Sequence, residues 1–367
     1  MKRRIIFSLL AGAVLSGIGF YFAFRNVPVQ LLAESLARVN YLWLLPGAAV
    51  GLFSFAVRAV RWRLILGTTL KLSFFSAFHP VMIAFMINSV LPGRIGELAR
   101  PAIIKKQDNV PFTLGLTTIA AERFLDAITL IALFAWVLAT VHIDPDLEAG
   151  FQGRRLDRQT LENLSAALVR FCIIAAAVIA AISIPAVERF LKKIIAKAPF
   201  VILPANSRLA EKVHEKVSVP LTGVLENFLA GISMVKRPAV LFMCVLYSFA
   251  IWLLQAAALY VLSLGFPGFS LGFAEMTTVF VIICFFIMLP SVPGYWGLWE
   301  AGGVFAMALF GVASNTAAGF SLMSHIMLGV PVVITGIFSA FVTGVNILRI
   351  TSEEGGKAGG KGGPKVR

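Results

Sequence analysis

Glutamate, arginine and aspartate stand together at the start of an apolar run, in Ala121-Glu-Arg-Phe-Leu-Asp126. On a helix, Glu122 and Asp126 are four apart and Arg123 and Asp126 three apart, so neighbouring turns carry mixed charge on adjoining faces. A second group lies upstream, in Asn88-Ser-Val-Leu-Pro-Gly-Arg-Ile-Gly-Glu97, with Arg100 and Pro101 one turn later. Ionised side chains inside apolar sequence are costly unless paired or wet. One chemistry for this set is anion capture: Arg94, Arg100 and Arg123 offer donors to a phosphate-like head group, Asn88 adds an amide, and Glu97, Glu122 and Asp126 hold the guanidiniums in place. A structural ion-pair network is the competing reading.

The residues between these charges break helices. Pro92, Gly93 and Gly96 interrupt the first segment, and Pro290, Pro293, Gly294 and Gly297 interrupt a second, Leu289-Pro-Ser-Val-Pro-Gly-Tyr-Trp-Gly-Leu-Trp-Glu300. Both run leucine-proline, then glycine, then glutamate. Proline removes a backbone donor, and an interrupted helix at membrane depth needs a protein or water environment for its freed polar groups. Paired interruptions in two halves of a membrane protein point to a transport site at an inverted repeat; simple kinks are the alternative. Glu300 and His325 are assigned to the same substrate-binding set. His325, beside Ser324 in an apolar helix, fits either a proton or head-group role or a packed histidine. His79 reads as structural. Arg58, Arg61 and Arg63 read as interfacial anchors, and Tyr295, Trp296 and Trp299 suit either a gate or an interfacial aromatic belt.

The elements that must position these residues are membrane spans. The chain is 59% hydrophobic and 14% charged, with a mean hydropathy of +0.88, where a soluble domain carries roughly a quarter charged residues. The expected fold is therefore all-α and polytopic: about eight transmembrane helices plus one or two re-entrant or broken helices, with an inverted repeat. Apolar runs lie at 5–24, 41–57, 74–91, 114–141, 166–184, 239–264, 271–289, 298–310 and 317–348. Residues 1–350 form one integral membrane domain, with amphipathic helices at about 187–237 lying along the interface. Residues 351–367 form a Gly/Lys-rich, disordered cytoplasmic tail. The distribution of Lys and Arg favours both termini in the cytoplasm and a third run that dips in and returns. The net charge of +14 is dispersed, which suits an anionic lipid surface and not nucleic acid. Cys172, Cys244 and Cys284 are isolated in apolar runs and read as packing residues.

At Asn88, Leu91-Pro92-Gly93-Arg94, Gly96-Glu97, Arg100, Glu122-Arg123, Asp126, and Leu289-Pro290 through Gly297 to Glu300, the chain resembles the flippase-like membrane proteins that share the transmembrane region of lysylphosphatidylglycerol synthase. The Arg58 to Trp62 end of the second span is similar too. The resemblance implies handling of polar-headed lipids: aminoacylated phosphatidylglycerol, hopanoids or polyprenyl-linked sugars. Ser324-His325 stands where the family leads one to expect an arginine. The chain has no room after its last span for the soluble aminoacyl-transferase domain of the synthases, so lysyl transfer is not expected.

The function expected is movement of an anionic, polar-headed lipid in the cytoplasmic (inner) membrane, without enzymatic activity. No G-x-x-x-x-G-K-[ST] loop is present, and no cofactor or metal is expected. The alternatives are a membrane-embedded lipid-modifying transferase or hydrolase using Glu97, Glu122 and Asp126, and a non-catalytic partner of lipid-synthesis enzymes.

Overall fold

The computed structural model describes residues 2–345 apart from 68–69, 71, 92–93, 141–169, most of 171–183, 203–210, 212 and 232. Pro92, Gly93, Cys172, most of the span at 166–184 and the 351–367 tail fall outside the described residues.

All regular structure among the described residues is helical. Helix α1 (Lys2–Phe24) turns at Pro28 into the short α2 (Val29–Ala37), bent by 77° from the preceding helix. Asn40 accepts from the Leu42 N–H and opens a 3-10 turn leading into α3 (Leu44–Leu66). Ser73 caps α4 (Phe74–Val90) by accepting from the Ser76 N–H, the usual use of a serine hydroxyl at an orphan helix start. After the first break come α5 (Gly96–Asp108), ended by a left-handed Asn109, and α6 (Phe112–Thr140). Then follow α7 (Pro185–Ile202), α8 (Val219–Gly231), α9 (Pro238–Ser263), α10 (Phe273–Ile287), α11 (Leu298–Ala308) and α12 (Ser314–Thr343).

Segments Tyr41–Leu66, Pro238–Ser263 and Ser314–Thr343 are each long and apolar enough to cross a membrane, and the bent pair α1–α2 makes a fourth if taken as one span. Helices α4 and α10 have 17 and 15 residues. At about 1.5 Å per residue they stop short of a hydrocarbon core of about 30 Å. Each is followed by a break and a partner that folds back on it, so the two interrupted segments are helical hairpins, α4–α5 and α10–α11.

Small residues let these elements approach. A Cβ on Gly96 would meet the Ala84 carbonyl, so α5 can lie against α4 only because position 96 is glycine. Gly47 and Gly51 of α3 receive Leu262 of α9 and Leu328 of α12, and Gly302 of α11 faces Ile283 of α10.

The structure corrects one expectation. Helix α3 does not end near Val57 but runs on to Leu66, carrying Arg58, Arg61 and Trp62 inward. Arg61 and Trp62 are fully buried and Arg58 is 7% exposed. Of the three arginines read as interfacial anchors, Arg63 alone is exposed. The reason is partnership: buried carboxylates on α6 compensate the charge that would otherwise keep these arginines at the surface.

Helices α7 and α8 fall within the stretch read as amphipathic. Lys192 bonds Glu188 on its own helix and Glu226 on α8, and Lys236 returns to Glu188. Phe190, Ile194, Phe200 and Val201 of α7 stand exposed.

Candidate functional site

The site begins at α6, where Glu122 and Asp126 are buried one turn apart. Arg61 on α3 reaches both: its Nη1 donates to Asp126 Oδ1 at 2.7 Å and its Nη2 lies 3.6 Å from Glu122 Oε1. Arg100 on α5 places Nη1 2.7 Å from Glu122 Oε2 and lies 4.0 Å over the Trp62 ring. Arg58 sits 3.6 Å from Asp126, walled by Phe55, Phe85 and Trp252. Trp252 also donates its indole N–H to Asp126 Oδ1, and Arg61 donates to Ser248. Arg123 pairs with Asp126 at 3.2 Å and with Glu97 at 3.8 Å, and both Arg123 and Glu97 are about one third exposed. This half-open pair marks the edge of an otherwise buried network.

Its charge does not balance. Four guanidiniums, on Arg58, Arg61, Arg100 and Arg123, face three carboxylates, on Glu97, Glu122 and Asp126. Nor is its hydrogen bonding complete: the Nε of each of the four arginines and Nη2 of Arg100 are buried without a hydrogen-bond partner among the described residues. Buried donors left unpaired are costly, and charge-assisted bonds to an anion are the strong way to satisfy a guanidinium. The arrangement is thus suited to receiving negative charge.

The second break forms a separate cluster. Glu300, fully buried, accepts the Gly297 N–H on Oε2 at 2.6 Å and lies 2.6 Å from His325 Nδ1 through Oε1. A glutamate at the third helical position reaching back to the cap N–H is half of a capping box; glycine at the cap has no side chain to complete it. His325 Nε2 is 2.7 Å from the Gly294 carbonyl, and Trp296 and Trp299 lie against its ring. Helix α1 cradles the same tip. Gly12 and Gly19 face the backbone at Ser291 and Gly297, and Ser16 accepts from the Val292 N–H.

The two breaks meet. Arg94, at φ +53°, donates from Nη2 to the Ile287 carbonyl at 2.9 Å and lies over the Tyr295 ring. Arg94 and Tyr295 are two of the three non-glycine residues at positive φ among the described residues, a conformation that costs about 1–3 kcal/mol and gathers at functional sites. Asn88 is committed to the first break, accepting the Gly96 N–H at 2.8 Å.

The structure therefore brings Arg100, Glu122, Arg123, Asp126 and Glu97 into one network, places Arg94 between the hairpins, and sets Glu300 and His325 apart as partners of each other. It adds Arg58, Arg61, Trp252 and Ser248, which sequence reasoning had not assigned to the site. The signal for the first two was their three-residue spacing on one helical face together with an unmatched surplus of carboxylates on α6. Cys244 and Cys284 are free and buried. Among the described residues no three His, Cys, Asp or Glu side chains gather in a metal-ligating group.

The profile described as the lysylphosphatidylglycerol synthase TM region matches residues 9–336. Glycosyltransferase AglD of Haloferax volcanii is 26% identical over an alignment covering 96% of this chain and 57% of that protein, so the chain spans a little over half of that relative's length. No solved structure matches.

Proposed function

Because the chain belongs to the family that shares the lysylphosphatidylglycerol synthase transmembrane region, we propose that it is a flippase-like transporter. Its substrate would be an anionic, polar-headed lipid (a phospholipid, a hopanoid or a polyprenyl-linked lipid) moved across or within the cytoplasmic membrane. The observation that carries the proposal is the set of unpaired buried guanidinium donors beside the meeting point of two broken hairpins. The head group would enter past Glu97 and Arg123 while the tail stays in lipid. Movement of one hairpin against the other would change the side from which the network is reached. In this reading both termini are cytoplasmic, the two hairpins take up three of the nine apolar runs and leave six to cross fully, and α7 lies on the anionic lipid surface. Arg94, Glu97, Arg100, Glu122, Arg123 and Asp126 contact or hold the head group.

A second reading rests on the relative's name. A transferase acting on a lipid-borne sugar would use the same anionic-lipid site, with a carboxylate as acid or base. The buried carboxylates beside the head-group donors, Glu122 and Asp126, are already engaged by arginine, which favours holding charge over moving protons there. Proteoliposomes separate the readings. A labelled anionic lipid should change leaflet chemically unaltered, and Arg94→Ala or Glu97→Ala should stop it. Formation of a new lipid product, or movement indifferent to both changes, would reject the transporter.

A further inference from the structure

We infer that Glu300 and His325 together form a proton-binding site, and that this proton holds the tip of the second hairpin in place. The Gly294 carbonyl can only accept, so His325 Nε2, 2.7 Å away, must carry hydrogen. His325 Nδ1 and Glu300 Oε1 are 2.6 Å apart, which requires a second hydrogen between them. Either the glutamic acid donates to a neutral imidazole or an imidazolium donates to the carboxylate. Both arrangements hold the same number of protons, one more than a carboxylate beside a neutral histidine. When that proton leaves for water, the neutral imidazole keeps one N–H for two acceptors, so a lone pair faces either the Glu300 carboxylate or the Gly294 carbonyl and that contact becomes repulsive.

Separation of the pair reaches the backbone. Glu300 also holds the Gly297 N–H and His325 holds the Gly294 carbonyl, so either side chain that withdraws gives up a bond to the tip. Gly294, Tyr295 and Gly297 all lie at positive φ, where the surrounding bonds must maintain the conformation. Tyr295 in turn lies under Arg94, so release of the tip is transmitted to the first hairpin.

The surroundings leave this proton to the pair. Helix α10 brings Cys284 and, at its far end, Glu275; α1 brings Tyr21, exposed. Helices α2 and α4 meet α12 away from His325, at Asn315 and at Ser339, where they bring Glu34 and His79. Helix α3 meets it at Leu328 through Gly51, two turns before Arg58, whose charge faces Asp126. The first hairpin contributes Arg94, placed on Tyr295.

Trp296 and Trp299, with ring centroids 4.3 and 5.1 Å from His325, are built-in reporters. In the full chain in detergent, carried through the pH range over which it stays folded, tryptophan emission should change in a one-proton step. That step should vanish in Glu300→Gln and in His325→Gln while both remain monodisperse and helical. Hydrogen exchange on the unaltered chain gives an independent check. Protection of 288–300, corrected for intrinsic rates, should fall about tenfold across the same step, the effect of losing one hydrogen bond. A flat emission profile, a step that survives both substitutions, or constant protection would overturn the inference. Neither readout requires a lipid to move, so failure here is distinct from failure of the transport proposal.

Discussion

The Arg94 guanidinium donates from Nη2 to the carbonyl of Ile287, 2.9 Å away, and so ties the tip of one hairpin to the other across 193 residues of sequence. The carbonyl is free to accept because Ile287 ends its helix, where the last carbonyls have no partner in the next turn. The donor is available because Arg94 turns out of the first break at φ +53°. A bond between two helix interruptions is easily made and broken, unlike one inside a packed core.

Removal of this tie should affect movement more than stability. Arg94 is exposed, so Arg94→Ala should change unfolding free energy in detergent by less than about 1 kcal/mol while stopping leaflet exchange. Arg94→Lys, which keeps charge but not the planar fork, should fall between.

Within the network, partners should be worth more together than apart. Arg61→Met leaves Asp126 buried with fewer donors and should cost about 3–5 kcal/mol. Combined with Asp126→Leu, the loss should fall short of the sum of the two single changes by about 1–3 kcal/mol. Unfolding in mixed micelles measures this cycle.

Burial should separate two chemically identical substitutions. Glu122→Gln, at a carboxylate 1% exposed between Arg61 and Arg100, should destabilise by about 3 kcal/mol or more. Glu97→Gln, in the half-open pair with Arg123, should cost under about 1 kcal/mol.

Backbone approach should be equally selective. Gly96→Ala sets a methyl against the Ala84 carbonyl and should cost about 1–3 kcal/mol. Gly17→Ala in α1, where nothing lies within 4 Å, should be neutral or stabilising by under about 1 kcal/mol.

The hairpin itself can be tested for sidedness. Lys106 is exposed at the end of α5. Cysteine placed there should react with an impermeant reagent from the cytoplasmic side, as a segment that enters and returns requires. Labelling from the outside would mean that α4 crosses fully.

Much of this arrangement was legible before any coordinates. Proline and glycine marked both interruptions because their effect on a helix is local, and the Glu122, Arg123, Asp126 group was visible through helical spacing. What could not be read was partnership across the chain. Arg58 and Arg61 look like any basic residues at the end of a span, and only the meeting of α3 with α6 brings them to Asp126. The pairing of Glu300 with His325, 25 residues apart, likewise depends on how α11 folds back along α12. The cradle made by Gly12, Ser16 and Gly19 was overlooked because small residues in a span signal close approach without naming the surface approached.

If the surplus guanidinium donors receive an anionic head group, the lipids that stay bound through purification should be enriched in negative charge. The chain should be purified from vesicles containing equal amounts of an anionic and a zwitterionic phospholipid of identical tails, and the retained lipids counted by native mass spectrometry. The unaltered chain should keep the anionic lipid about tenfold in preference, the worth of one charge-assisted hydrogen bond, and Arg123→Gln, at the open edge of the network, should bring the ratio towards one. Equal retention by the unaltered chain, or a preference untouched by Arg123→Gln, would mean that the network does not select a negative head group.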